Sequence, residues 1–103
     1  MDVSFEQIRH CYGFGVAGSI EVSGFVLAEV FGQPDSTYTD GKTTFNWYLH
    51  VYDECGNKHE ATIYDYYSKD KTFANCNWHI GGRQKIVVDI IHKLIENHLK
   101  ENS

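Results

Sequence analysis

From Phe45 to Tyr52 apolar and polar positions alternate. Phe45, Trp47, Leu49 and Val51 are separated by Asn46, Tyr48, His50 and Tyr52. A period of two is that of a strand with one buried face. The segment DECGNKH, residues 53–59, contains Gly56-Asn57 and predicts a turn. A second strand, EATIYDYY, follows from Glu60. Pairing Val51 with Ala61 sets Leu49 against Ile63 and Tyr48 against Tyr64. One face is then aliphatic with Trp47, and the other is rich in tyrosine. A polar loop at 68–72 leads to a third strand around NWHI, where Trp78 and Ile80 join the buried face and His79 points away.

Toward the C-terminus the period lengthens. Asp89, His92, Lys93, Glu96, Asn97 and Lys100 form one solvated stripe on a segment otherwise built of Val87, Val88, Ile90, Ile91, Leu94, Ile95 and Leu99. This predicts a helix from Arg83 to about Lys100 that covers a sheet. Two shorter helices are expected upstream. Ser4 with Gln7 forms a capping-box pattern for a turn reaching His10. Ser23 precedes GFVLAEVFG, and Gly32 with Pro34 supplies a stop, giving a helix over 24–31, although its Val and Phe content also suits a strand. The class expected is α+β: a single domain, 1–103, with a small antiparallel sheet of a hairpin plus a third strand. A C-terminal amphipathic helix packs on it, and a short helical segment lies at the N-terminus.

Composition narrows the function classes. With 42% hydrophobic residues and 15% aromatics the chain has a core to bury, and 103 residues suffice for one. Nine basic against 14 acidic residues give a formal net charge of −5, opposite to what phosphate-backbone binding requires, so no direct nucleic-acid binding is expected. No apolar run is long enough to span a membrane, and MDVSFEQIRH lacks the basic-then-apolar layout of a secretory signal. Cys11, Cys55 and Cys76, odd in number and widely spaced, fit reduced thiols in a cytosol.

The stretch GFGVAGS carries Gly13-x-Gly15-x-x-Gly18, the spacing of a dinucleotide-binding loop. That loop must end a parallel strand and open a helix. EQIRHCY before it is helical or irregular in pattern and the strands after it are antiparallel, so a flexible turn or bulged strand entry is expected instead, and no cofactor. Gly81-Gly82 has better context. It precedes the predicted helix, whose first residues are Arg83, Gln84 and Lys85, so free N–H groups and a guanidinium would face an anion there, with His79 just before. A tight strand-to-helix turn would need the same glycines for geometry alone.

Tyr48, Tyr52, Tyr64 and Tyr66 share the second sheet face with His50. Tyrosine joins a large apolar area to a hydroxyl, a combination enriched where proteins bind ligands or one another. The competing expectation is that residues 12–31 cover this face as a second core layer. Cys55-x3-His59 and Cys76-x2-His79 approach zinc-ligand spacing, but an extended Cys76–His79 segment points its two ligands to opposite faces, and no metal is assigned. Six histidines permit many nucleophile–base combinations without a local motif marking one. Asp65, on the buried side between Tyr64 and Tyr66, is expected to have Lys42 or a hydrogen-bond donor as partner.

Several stretches together are familiar: Phe31-Gly32-x-Pro34, Asp40-Gly41-Lys42, Trp47, Ala61-Thr62-Ile63-Tyr64-Asp65-Tyr66 and Trp78-His79-Ile80-Gly81-Gly82. In this order they resemble a family of small uncharacterised proteins of bacteriophages and large DNA viruses, over roughly residues 25–95. The resemblance implies a viral or phage setting, in a host cytosol, with a role in countering host defence by binding. It carries no catalytic residues. The leading expectation is a non-enzymatic protein that sequesters a small anionic, nucleotide-like ligand through His79, Gly81, Gly82, Arg83, Lys42, Tyr48, Tyr64 and Tyr66. The alternatives are an inhibitor docking its tyrosine face on a host factor, and a small hydrolase or transferase using His79 or His50. A homodimer through an open sheet edge fits any of them.

Overall fold

The computed structural model describes residues 2–9, 15–35, 43–66 and 69–101. Five strands, β1 (Ser4–Gln7), β2 (Val16–Glu21), β3 (Asn46–Tyr52), β4 (Lys58–Tyr64) and β5 (Asn77–Gly82), form one antiparallel sheet in the order β1-β3-β4-β5-β2. Helices α1 (Gly24–Phe31) and α2 (Ile86–Glu101) complete the element order. The expected α+β class and the C-terminal helix on the sheet are present.

Local chemistry explains α1. Ser23 is extended, and its Oγ accepts from the Val26 N–H, while Gly32 takes the positive φ of 89° that ends the helix. Trp47 fixes that end by donating Nε1–H to the Gly32 carbonyl at 2.8 Å. The Phe5 ring meets Phe31 edge-on at 4.9 Å, and Trp47 meets Trp78 at 5.3 Å. The core consists of Ile20, Leu27, Phe31, Trp47, Leu49, Val51, Ala61, Ile63, Trp78 and Ile80 with Val87, Ile90, Ile91 and Ile95 of α2. Both helices therefore lie on the Trp47–Trp78 side.

Several expectations give way. The helix foreseen at Ser4–His10 is strand β1 over Ser4–Gln7, paired with β3 through Phe5↔Val51 and Glu6↔His50. Pairing with a distant strand overrides a capping signal spread over only four residues. The sheet has five strands rather than three, because β1 is added at one edge and the glycine-rich stretch supplies β2 at the other, whose ladder with β5 shifts register between Val16 and Gly18. The bulged strand entry foreseen as one reading of that stretch is thus realised; Gly13 lies outside the described residues.

The hairpin register is two residues off the expected one: Leu49 faces Ala61, Tyr48 faces Thr62 and Val51 faces His59. The turn is shorter than foreseen. The Asp53 carboxylate accepts from the N–H groups of Cys55 and Asn57, each at 2.9 Å, and Gly56 takes φ 84°, so β4 begins at Lys58. A slip of two leaves each side chain on its intended face.

Helix α2 begins at Ile86 rather than Arg83, and Gly81-Gly82 belongs to β5 rather than to a turn. Ala61↔Gly82 pairing carries the strand that far, and 83–85 then turn the chain. A Cβ on Gly82 would stand 2.6 Å from Val87 Cγ2, so that glycine serves the approach of helix to sheet.

Candidate functional site

Antiparallel partners directly opposite one another share a face. From the registers, the helix-free face carries Ser4 and Glu6 on β1, Tyr48, His50 and Tyr52 on β3, and Lys58, Glu60, Thr62 and Tyr64 on β4. His79 and Gly81 on β5, with Val16 and Ser19 on β2, extend it. Helix α1 packs on the opposite side, so the described part of 12–31 supplies an edge strand and a helix, not a second core layer over the tyrosines.

Of the residues singled out by sequence, this face brings together Tyr48, Tyr64, His79 and Gly81, and Tyr66 just beyond β4 joins them. Tyr64 stacks on His79 with ring centroids 5.6 Å apart. Tyr66 stands edge-on to both, at 6.5 Å from Tyr64 and 6.2 Å from His79. Tyr66 is 44% exposed and the other two rings are half-buried. Burial, with the Tyr66 hydroxyl nearby, raises the Tyr64 phenol above its ordinary value. Thr62 and Gly81, both buried, lie between Tyr48 on one side and Val16, 64% exposed, on the other.

One row along, the character changes. Glu6, His50 and Glu60 stand side by side on β1, β3 and β4. His50 Nδ1 is 3.1 Å from Glu6 Oε1, and the Tyr52 hydroxyl donates to the same oxygen at 2.9 Å. The His50 contact first, then the Tyr52 bond, hold the Glu6 carboxyl below the usual glutamate value. That same bond raises the Tyr52 phenol. Glu60 is exposed.

The other candidates are dispersed. Gly82 faces α2, and Arg83 is exposed on the segment leaving β5, so the two do not form a helix-terminal anion cradle. Lys42 and the Asp40-Gly41-Lys42 motif lie outside the described residues. Asp65 is 2% exposed and accepts from the backbone N–H groups of Thr44 at 2.8 Å and Phe45 at 2.9 Å. This is the satisfied hydrogen bonding that was one of its two expected accounts.

Cys55 and Cys76 are exposed and lie on loops, and among the described residues no three His, Cys, Asp or Glu side chains are grouped to hold a metal ion. His59, near the start of β4, instead has its Nε2 3.1 Å from Asp53 Oδ2 of the turn. Sequence reasoning missed Glu6, hidden in a supposed helix, and Glu60, whose partner His50 depended on the correct register. The alternation of Ser4, Phe5 and Glu6 was the one available signal for the former.

Among the described residues no helix is long and apolar enough to cross a membrane. No family model, curated protein or solved structure matches this chain.

Proposed function

We propose that this protein is a non-enzymatic binding protein that works through the helix-free face of its sheet and docks there on a protein partner. The observation that carries this reading is the Tyr64–His79–Tyr66 cluster, with Tyr48 and Tyr52 on the same face, away from both helices. Tyrosines presented from a rigid sheet bury much area at low entropy cost, and such residues dominate interface energetics. The resemblance to small phage and viral proteins supports a host factor as the partner, a host cytosol as the compartment and interference with defence as the purpose.

The test is capture from cell extract on the immobilised chain, set against a Tyr48→Ala/Tyr66→Ala variant whose thermal melt is recorded in parallel. A protein held by the parent and lost from a folded variant supports the reading. A protein held equally by both overturns it. Interface tyrosines of this kind contribute about 2 kcal/mol or more each.

A second reading keeps the small anionic, nucleotide-like ligand. The stacked Tyr64–His79 pair favours it, since aromatic rings on a sheet also accept a base, and Arg83 leaves β5 two residues beyond Gly81. Native mass spectrometry of the freshly purified protein separates the two. A phosphorylated compound lost on denaturation, and absent from Arg83→Ala protein, would favour the ligand.

A further inference from the structure

Along the helix-free face, side chains of one strand recur about 7 Å apart and neighbouring strands are about 4.8 Å apart. On that grid the Glu6–His50–Glu60 row lies between Tyr48 on one side and Tyr52 on the other. Each carboxylate is therefore diagonal to tyrosine rings within one side chain's length. The Glu60 side chain makes no hydrogen bond or ion pair among the described residues, and Glu6, although bonded to His50 and Tyr52, keeps 58% of its side chain exposed. Glu21, opposite Asn77, adds a third carboxylate at the β2 edge. Among the described strand residues of this face, Lys58 is the single lysine or arginine. The chain as a whole has a formal charge of −5.

From this alternation of carboxylates and tyrosine rings we infer that the partner's complementary surface is cationic, an arginine- or lysine-rich stretch of protein. The inference rests on the reading of this face as the docking surface. A guanidinium lying on a tyrosine ring gains a cation–π contact, and its N–H groups then reach a carboxylate of the next row. An acidic face also steers a basic partner and repels an acidic one, which gives it both rate and selectivity. A phosphate-bearing ligand, by contrast, would approach Arg83 at the end of β5, where Gly82 pairs with Ala61, the chain neighbour of the Glu60 carboxylate.

The experiment is an NMR titration of the ¹⁵N-labelled chain with nona-arginine, nona-glutamate and ATP as separate probes. It is repeated on Glu6→Gln/Glu60→Gln and, as an equal change of charge on the other side of the molecule, Glu96→Gln/Glu101→Gln. Glutamine keeps an acceptor for the Tyr52 hydroxyl, and a parallel melt verifies folding.

The expected result is that nona-arginine shifts amides of β3 and β4 around Tyr48, Glu60 and Tyr64. Its affinity should fall about tenfold or more in the face variant and less than twofold in the helix variant. Equal losses in both variants, or shifts spread over α2, would reduce the effect to net charge and overturn the inference. ATP or nona-glutamate mapping to the same amides in place of nona-arginine would also overturn it, while leaving the face as the binding surface. If no probe shifts that face, and the Tyr48→Ala/Tyr66→Ala capture shows no loss, the docking reading falls as well.

Discussion

Trp47 and Tyr48 are neighbours in sequence and occupy opposite sides of one sheet. Trp47 is wholly buried, donates to the Gly32 carbonyl and packs against Trp78 and Phe73. Tyr48 is half-buried on the side that neither helix covers, in the row next to Glu6, His50 and Glu60. The same strands therefore present two surfaces of different economy. One is closed by apolar volume from α1 and α2. The other is held by hydrogen bonds and ring contacts between side chains of the sheet itself. Stability should be concentrated on the first and recognition on the second, because packing is unforgiving of change and a polar surface is tolerant.

Four substitutions or titrations break or sharpen this contrast. Trp78→Ala should lower stability by about 3–5 kcal/mol, read as a fall in the urea midpoint, since it empties the centre of the covered face. For a domain with ~5–15 kcal/mol in hand, much of the fold would be lost. Gly24→Ala should cost about 1–3 kcal/mol by overpacking. Its new methyl would stand 2.8 Å from the Trp78 ring and 2.9 Å from the Phe73 Cα, and the latter is backbone that cannot swing aside.

On the other face, Tyr66→Ala should change stability by no more than about 0.5 kcal/mol while abolishing partner capture. A large stability loss there would mean that the two faces share the structural burden.

The smallest effect concerns acid. Glu6 and Asp53 have folded-state values below their ordinary ones, Glu6 through His50 and Tyr52, Asp53 first through the Asn57 N–H and then through His59. The folded chain then binds fewer protons than the unfolded one. The stabilisation is present above the ordinary carboxylate range and lost as pH falls through the lowered values. Melting temperature against pH should thus decline toward acid, and less steeply in Glu6→Gln. An unchanged slope would remove Glu6 from the network's energetics. At the alkaline end the sign reverses for Lys93, raised by its contact with Glu54: its contribution is present below the ordinary lysine value and lost above it.

Much of the covered face was legible in sequence. The alternation through β3 and the Ser23 and Gly32 caps of α1 are local signals, and each is realised. So is the apolar run of α2. The errors share one physical origin, contacts between residues far apart in the chain. The four residues of β1 acquire strand geometry only beside β3, and β2 only beside β5. The Gly81-Gly82 pair looks like a turn until Val87 is seen against Gly82. The tyrosine cluster survived the register error because a shift of two preserves sides. The Glu6–His50–Glu60 row did not, because it needs a strand read as a helix and an exact pairing across the hairpin.

The strand order has a consequence for how the chain is made. β1 and β2 are synthesised before the other three strands, yet they occupy the two outer edges, and their partners are β3 and β5. β2 ends at Glu21, whereas β5 opens at Asn77. At about 5–20 residues per second, several seconds pass before that partner has been synthesised. During that interval β2 has no strand to pair with, whereas β1 can join the β3–β4 hairpin once that is made, so the sheet is completed from its middle outward.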